Sequence, residues 1–345
     1  MTTNYRLCLA GFGNVGKAFA RLLIKKKAEL ADRNGLSVTV TGIITGRHGR
    51  AIDPAGLDLE KALDLVEAGK PLNKLDRANA PGETTAFISA CPADVMFETT
   101  PNNPQTGQPA LAHIRAALEA GRHVVTANKG PLVHGYPELT ALAKENGVGF
   151  LFESTVMDGA PIFALFRESL PGANLIGFHG ILNSCTNLLL SMMEEGKSLE
   201  EAITYGQSIG ITETDPSNDI DGWDAAIKVS ALVTVLMGVP LTPQQVDRTG
   251  IRGITPEMIA VAKTDGERWK LVCSARHEKD GVTARVAPAR VGLDSPLYSV
   301  NGTSSYCQFE LDVLPGLGIL ESNPEPETTA YGLYADFLNI LEAAE

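Results

Sequence analysis

The sequence predicts an α/β protein in two parts, and three observations carry that prediction. A buried apolar strand, a glycine turn and a helix open the chain, strand and helix patterns alternate up to residue 153, and the later strands follow one another as in an antiparallel sheet. Residues 1–153 therefore read as an α/β domain, and residues 154–319 as an α+β domain with a mostly antiparallel sheet. A C-terminal helix within 320–345 is long enough to pack back on the first domain. A chain of 345 residues suits this division and can bury a sizeable core in each part.

Charge narrows the partners. With 41 acidic against 29 basic residues the net charge is −12, which argues against a broad nucleic-acid or anionic-membrane footprint and for a small-molecule ligand. No apolar run approaches the roughly 18 to 20 residues that span a bilayer, and the N-terminus enters a strand without a signal-peptide pattern, so a cytoplasmic location is expected. The five cysteines are scattered and form no C-x-x-C pair, so neither a disulfide framework nor a zinc site is indicated.

In the first part, residues 5–10 read as a buried strand, followed by Gly11-Phe12-Gly13-Asn14-Val15-Gly16 and a helix through Leu23. This is the strand, turn and helix of a Rossmann-type dinucleotide-binding domain. Gly11 serves the turn, Gly13 the close approach of pyrophosphate and Gly16 the packing of helix on strand, with Asn14 and Val15 opening the helix. The second strand, 37–44, ends without the carboxylate that grips the ribose of NAD. It runs instead into Thr45-Gly46-Arg47-His48-Gly49-Arg50, which suits the 2′-phosphate of NADP. An ordinary basic turn has the same composition, so NAD stays open. A strand at 94–98 delivers Thr99 and Thr100 to the nucleotide crevice. The strand at 123–126 ends in Ala127-Asn128-Lys129-Gly130-Pro131, which places Lys129 where substrates lie in open α/β sheets. A helix at 136–146 and a strand at 148–152 complete the domain, and 153–161 is the crossing segment.

In the second part, a strand at 175–182 precedes helices at 183–195 and 199–208. Next comes the acidic stretch 213–228, which holds Glu213, Asp215, Asp219, Asp221, Asp224 and Lys228 and ends as an apolar helix reaching Met237. Asp224 and Lys228, four apart, share one helix face and form a candidate proton-transfer pair, although the same pattern also fits a solvated helix start. Strands at 268–276, 281–288 and 304–314 and a last helix at 328–341 close the chain. A mostly antiparallel sheet with one face uncovered by helices suggests subunit association.

Together these features resemble the homoserine dehydrogenase family, whose enzymes interconvert aspartate semialdehyde and homoserine with a nicotinamide cofactor. The resemblance covers nearly the whole chain. It rests on the early G-F-G-N-V-G, on V-V-T-A-N-K-G at 124–130, and above all on Gly210, Asp215-Pro216, Asp219-Ile220-Asp221-Gly222-Trp223-Asp224 and Lys228 in the family's order and spacing. It implies that Asp219 and Lys228 hold the reacting oxygen, Lys129 is the other lysine at the reacting centre, Glu213 binds the substrate amino group and Asp224 bridges to that network. A donor that stabilises a developing alkoxide is what hydride transfer to an aldehyde needs, and burial and the neighbouring aspartates pull the Lys228 pKa in opposite directions. The resemblance further implies a homodimer and a monovalent cation held largely by backbone oxygens, at the matching positions Glu153, Val156, Asp158 and Ala160.

This chain departs from the family's usual N-G-T-T-N with Asn183-Ser184-Cys185-Thr186-Asn187, and it carries Met157-Asp158 at the crossing. The chain leaves no room for an ACT domain after its last helix, so feedback control through one is not expected. Two other readings stay open: a related dehydrogenase of another small hydroxy acid or semialdehyde, including one with Cys185 as a nucleophile, and a non-catalytic NADP-binding regulatory protein.

Overall fold

The computed structural model describes residues 3–342, which separate into two compact units. The first comprises the chain up to Pro161 together with the segment from Glu325, and the second runs from Ile162 to Pro324.

The first unit contains β1 (Thr3–Ala10), α1 (Asn14–Asn34), β2 (Leu36–Thr45), β3 (Gly49–Ile52), α2 (Leu59–Glu67), α3 (Thr84–Ala90), β4 (Val95–Glu98), α4 (Ala110–Glu119), β5 (His123–Thr126), α5 (Gly130–His134), α6 (Tyr136–Glu145) and β6 (Phe150–Leu151). Its sheet has the order β3-β2-β1-β4-β5-β6. All neighbours are parallel except β3, which returns antiparallel along β2. The strand order reverses at β1, between β2 and β4, so the crevice at the carboxyl ends of β1 and β4 is the topological switch point of a Rossmann-type fold. The short β3 is absent from the sequence reading because the run from Gly49 has no apolar alternation. Its pairing follows from the turn before it, where Gly49 takes φ +72°.

The C-terminal helix (Pro326–Glu342) belongs to this unit. Its Phe337 ring meets Phe97 edge-on with centroids 6.0 Å apart, Phe97 in turn lies 4.3 Å from Phe19, and Leu333 and Ile340 join the same apolar cluster. The Asp336 carboxylate accepts the Glu153 backbone N–H at 2.7 Å, the Ser154 hydroxyl donates to the Thr329 carbonyl at 2.8 Å, and the Thr329 hydroxyl donates to Asp158 at 2.6 Å. These bonds keep the crossing segment with the first unit, so the division falls after Pro161 and not at 153. Residues 320 and 321, assigned from sequence to the C-terminal segment, end a strand of the second unit. The stretch 343–345 lies outside the described residues.

The second unit contains α7 (Ile162–Ala164), β7 (Leu175–Ile181), α8 (Ser184–Glu194), α9 (Leu199–Ser208), α10 (Ser217–Ile220), α11 (Trp223–Leu236), β8 (Asp247–Arg248), α12 (Pro256–Thr264), β9 (Arg268–Glu278), β10 (Gly281–Val291), β11 (Ser305–Leu311) and β12 (Leu317–Glu321). The sheet order is β12-β11-β7-β9-β10-β8, antiparallel throughout except for the β10–β8 pair. The run expected as one strand over 304–314 ends at Leu311. Pro315 and Gly316 intervene, and β12 pairs back on β11.

The sheet's two faces differ. Phe178, Cys273, Ala275, Cys307 and Phe309 are buried on the face that meets α8 and α11, whereas His179, Ser274, Arg276, Gln308 and Glu310 alternate onto the other and are more open to solvent. Part of that second face is closed by Val291, Leu297 and Val300 packing on Ile181, Val272 and Tyr306. Lys270 is fully buried and donates to the Asn187 side chain at 3.0 Å and the Val300 carbonyl at 2.6 Å. Asn187 also donates to the carbonyls of Gly302 and Ser304, both at 3.1 Å, so this pair fixes the segment before β11.

Two strands approach closely at Gly180, where a Cβ would overlap the Tyr306 carbonyl oxygen and lie 2.9 Å from the Cys307 Cα. Both are backbone atoms of the neighbouring strand, so neither can swing aside. Replacing Gly180 by Ala is expected to destabilise the protein by about 1–3 kcal/mol, read as a lower urea midpoint at unchanged slope.

Candidate active site

In the first unit the crevice is shaped by glycine. Gly11 leaves β1 at φ +105°, and a Cβ there would lie 2.6 Å from the Thr99 carbonyl carbon and oxygen, so any side chain would push the ends of β1 and β4 apart. A Cβ on Gly16 would lie 2.6 Å from the Gly11 carbonyl oxygen. Around Gly13, by contrast, no described atom lies within 4 Å of a Cβ position, and Gly13 caps α1. The first-turn N–H groups of α1, on Asn14, Val15 and Gly16, have no acceptor within the helix and carry its positive end toward that space, which is what a pyrophosphate requires.

The Thr99 hydroxyl donates to the Gly11 carbonyl at 3.1 Å, and the Thr100 hydroxyl donates to Glu98. Glu98 is fully buried and also accepts from the Thr100 N–H at 3.1 Å and the Thr126 hydroxyl at 3.2 Å. Both threonine hydroxyl protons thus serve the loop itself, and lone pairs are what these oxygens can offer a ligand. Asn128 donates to the Thr100 carbonyl at 3.1 Å, and the Gly130 N–H donates to Asn102 at 3.1 Å, which ties the loops after β4 and β5 together. Lys129 stands half-buried at the start of α5 between these ties.

At the end of β2 the Thr45 hydroxyl accepts from the N–H of Arg47 at 3.2 Å and of His48 at 2.7 Å, which shapes the turn. Arg47 is exposed at its tip, whereas the Arg50 guanidinium donates to the Ala80 carbonyl at 2.8 Å and is drawn away.

In the second unit, charged side chains of the acidic stretch gather where β7 gives way to α8. The Lys228 ammonium donates to the Leu182 carbonyl at 2.7 Å and pairs with Asp224 at 3.3 Å. The next residue, Asn183, is buried and donates from Nδ2 to Asp219 at 2.7 Å and to Asp224 at 3.0 Å. Its Oδ1 accepts from the Thr186 N–H at 2.7 Å and hydroxyl at 2.8 Å, capping α8. Two aspartates and a lysine from the acidic stretch thus meet one dipeptide at the end of a strand.

The acidic stretch is bent into place by its own neighbours. Arg252 pairs with Asp221 and donates to Ser217 at 3.1 Å, and the Arg248 guanidinium lies 3.6 Å over the Trp223 ring. Gly222 turns at φ +79° into α11, which sets Asp224 in its first turn and Lys228 one turn later. The Asp219 carboxyl is pushed up to about 6, first by burial and then by the charge of Asp224, against the Asn183 hydrogen bond and Lys228, which lower it.

Comparison with known proteins places the chain. The NAD-binding domain model of homoserine dehydrogenase matches residues 11–153 and the homoserine dehydrogenase model matches residues 161–338. The chain belongs to the homoserine dehydrogenase family. It is similar to a homoserine dehydrogenase of Methanocaldococcus jannaschii, 37% identical over 98% of this chain and 99% of the relative. It is also similar to an NAD(+)-dependent homoserine dehydrogenase of Pseudomonas canavaninivorans, 34% identical over 99% and 97%. Among solved structures, a hyperthermophilic archaeal homoserine dehydrogenase in complex with NADPH superposes with a TM-score of 0.83 at 28% identity, covering 99% of this chain and 98% of that one. A homoserine dehydrogenase of Thiobacillus denitrificans reaches 0.83 at 26% identity, over 99% and 75%. As a member of this family the chain is an NAD(P)-dependent oxidoreductase acting on a CH–OH group.

Of the residues singled out from sequence, Asp219, Asp224 and Lys228 share one hydrogen-bonded cluster. Glu213 stands exposed in the loop before α10, where Gln207 donates to its carbonyl at 3.1 Å. The departures from the usual homoserine dehydrogenase pattern are engaged locally: Ser184 meets the Ser305 hydroxyl at 3.1 Å, and the Cys185 sulfur lies 3.2 Å from the Thr212 hydroxyl. Cys185 is buried, and burial and the Asp219 charge push its thiol up to about 12, so it has almost no thiolate near neutrality and does not suit the nucleophile role. Sequence reasoning quoted Asn183 only as part of a variant motif and missed the Leu182 carbonyl, which has no side-chain signal.

Because Asp219 ionises less readily in the fold than in the unfolded chain, its charge costs stability above about pH 6, and the cost disappears as pH falls into the ordinary carboxylate range. Asp219→Asn should therefore be more stable than the parent at pH 8 by on the order of 1–3 kcal/mol, with the gap closing toward pH 4. Thermal melts at both pH values check the sign, and a variant less stable than the parent at pH 8 would contradict it.

Proposed function

We propose that this homoserine dehydrogenase interconverts L-homoserine and aspartate semialdehyde with NADP as its preferred cofactor, using Lys228 and Asp219 at the reacting oxygen. The observation that supports these roles is the cluster at the β7–α8 junction, where a lysine and two carboxylates are fixed by one carbonyl and one carboxamide. The first-turn N–H groups of α1 would hold the pyrophosphate of a nicotinamide cofactor, which when bound would supply or accept the hydride. Oxidation of the substrate carbinol also releases a proton, and reduction needs one at the same oxygen. Lys228, set by the Leu182 carbonyl and Asp224, holds that oxygen and its proton, with Asp219 beside it. Lys129, at the carboxyl end of β5, is assigned as the second catalytic lysine. Glu213 is assigned the substrate ammonium, which its exposed loop position leaves it open to meet.

Cofactor contacts are assigned to Gly11, Gly13, Asn14, Val15 and Gly16 for pyrophosphate, to Thr99, Thr100 and Lys129 beyond it, and to Arg47 for the 2′-phosphate. The strand end without a carboxylate and the exposed Arg47 support NADP over NAD. A monovalent cation fits the crossing segment only through main-chain oxygens of Glu153, Val156, Asp158 and Ala160. Among the described residues no group of three or more His, Cys, Asp or Glu side chains could hold a metal. Asp158 takes a positive φ of +42° within this segment. The more open part of the second unit's sheet face, around His179, Ser274 and Gln308, supports association into a homodimer through that face. No described helix is long and apolar enough to cross a membrane, and the acidic chain fits a cytoplasmic enzyme.

Assay of L-homoserine oxidation with each cofactor, alongside a panel of other hydroxy acids, tests the reading directly. Lys228→Met should lower kcat by about 10²–10⁴-fold with NADPH binding retained. A Lys228→Met enzyme as fast as the parent would remove the assigned mechanism. Arg47→Ser should raise KM for NADP about tenfold and leave KM for NAD unchanged, since one charged hydrogen bond to phosphate is lost. Equal effects on the two cofactors would dismiss the 2′-phosphate role. Light scattering should give the mass of two chains, and Ser274→Asp should move it toward one.

A further inference from the structure

The reading above counts the Asn183 carboxamide among the groups that fix the cluster but gives it no part in turnover. We propose that Asn183 is a positioning residue for this reaction, whose carboxamide bridges Asp219 and Asp224 and holds two carboxylates side by side around Lys228. The inference rests on the homoserine dehydrogenase reading of that cluster and adds the group that makes it possible.

The orientation of the carboxamide is determined by its partners. The Thr186 backbone N–H can only donate, so the Asn183 atom 2.7 Å from it is the carbonyl oxygen, and both N–H bonds then point the other way. There they find Asp219 at 2.7 Å and Asp224 at 3.0 Å. A nitrogen with two hydrogens can serve both acceptors without sharing. The side chain thus caps α8 with one end and joins two like charges with the other.

Few residues can do both. Serine and threonine cap a helix as well as asparagine does, but each has a single hydrogen to give. Aspartate caps too, yet it would bring a third negative charge in place of two donors. Glutamine carries the right amide one carbon too far out to cap its own helix. The position therefore specifies asparagine by its chemistry, independently of any helix preference.

The groups facing Asp219 come from several elements: Asp224 and Lys228 on α11, Cys185 on α8, and Asn183 itself. On β9, Cys273 faces Asp224 and Lys228 and is fully buried, with its thiol raised to about 12 by burial, so it brings no charge. The asparagine dipole, Lys228 and a hydrogen bond from the Cys185 thiol then favour ionised Asp219, and burial and Asp224 oppose them. Removing the dipole should raise the midpoint at which Asp219 loses its proton, and replacing it with a charge should raise it further.

Asn183→Ser keeps a cap and loses the bridge, and Asn183→Asp keeps a cap and adds charge. The direct readout needs no turnover. Carboxyl carbon NMR of aspartate-labelled protein follows the Asp219 titration, assigned by its loss in Asp219→Asn. The midpoint should rise from about 6 in the parent, modestly in Asn183→Ser and by about one unit or more in Asn183→Asp. In parallel, kcat/KM for homoserine should fall at least about tenfold in both, chiefly at the acid side of the profile, while the NADPH Kd stays within about twofold.

A folded Asn183→Ser whose Asp219 midpoint matches the parent overturns the proposal, whatever its activity, because a helix cap alone would leave the titration in place. A uniform loss of rate at all pH values with an unmoved midpoint does the same. If the midpoint shifts but the parent does not oxidise homoserine, the bridge stands and the substrate reading fails. The two are thus separable.

Discussion

The site depends on what two consecutive residues at the end of β7 offer. Leu182 presents a carbonyl to the Lys228 ammonium, and Asn183 presents its amide hydrogens to Asp219 and Asp224. Lys228 and the carboxylates are charged groups of limited exposure, and such groups are tolerated only where hydrogen bonds replace their lost water. Because carbonyl and carboxamide belong to adjoining residues, the lysine and the acids are fixed by one short piece of backbone. A shift of the β7–α8 junction would bear on all three charged side chains together. The helix start, the strand end and the charge cluster form one mechanical unit.

The same helix serves a second purpose one turn further along. Asn187, four residues after Asn183, bonds the buried Lys270 and the carbonyls of Gly302 and Ser304. Burial lowers the Lys270 pKa to about 8, against Glu194, which favours its charge. One end of α8 therefore holds two carboxylates, and the next turn holds the segment leading into β11. Two asparagines at helical spacing use the same property: a neutral side chain able to donate and accept inside a protein.

Sequence carried the fold far, for reasons that can be located. The glycine turn was legible because Gly11, Gly13 and Gly16 each answer a distinct steric need, and two of those needs appear as close backbone approaches. Asp224 and Lys228 were legible because helical spacing puts them on one face. By contrast, β3 and β12 are short and lack clean alternation, and the division of the chain at Pro161 depends on hydrogen bonds to residues near 329 and 336 that no local pattern foretells. Main-chain acceptors such as the Leu182 carbonyl leave no trace in residue identity. Asn183 was visible as a letter, but its value lies in partners far along the chain.

The C-terminal helix also governs the order in which the molecule can be completed. Residues of the second unit form one continuous run, whereas the first unit needs a helix encoded at the opposite end of the chain. During synthesis the second unit can close as soon as its own last strand emerges. The first must hold Phe19 and Phe97 without Phe337, and Glu153 without Asp336, until residues 326–342 are made. The nucleotide-binding part is begun before the second unit and completed after it. Until residues 326–342 are made, the aromatic cluster of Phe19 and Phe97 lacks the ring that covers it.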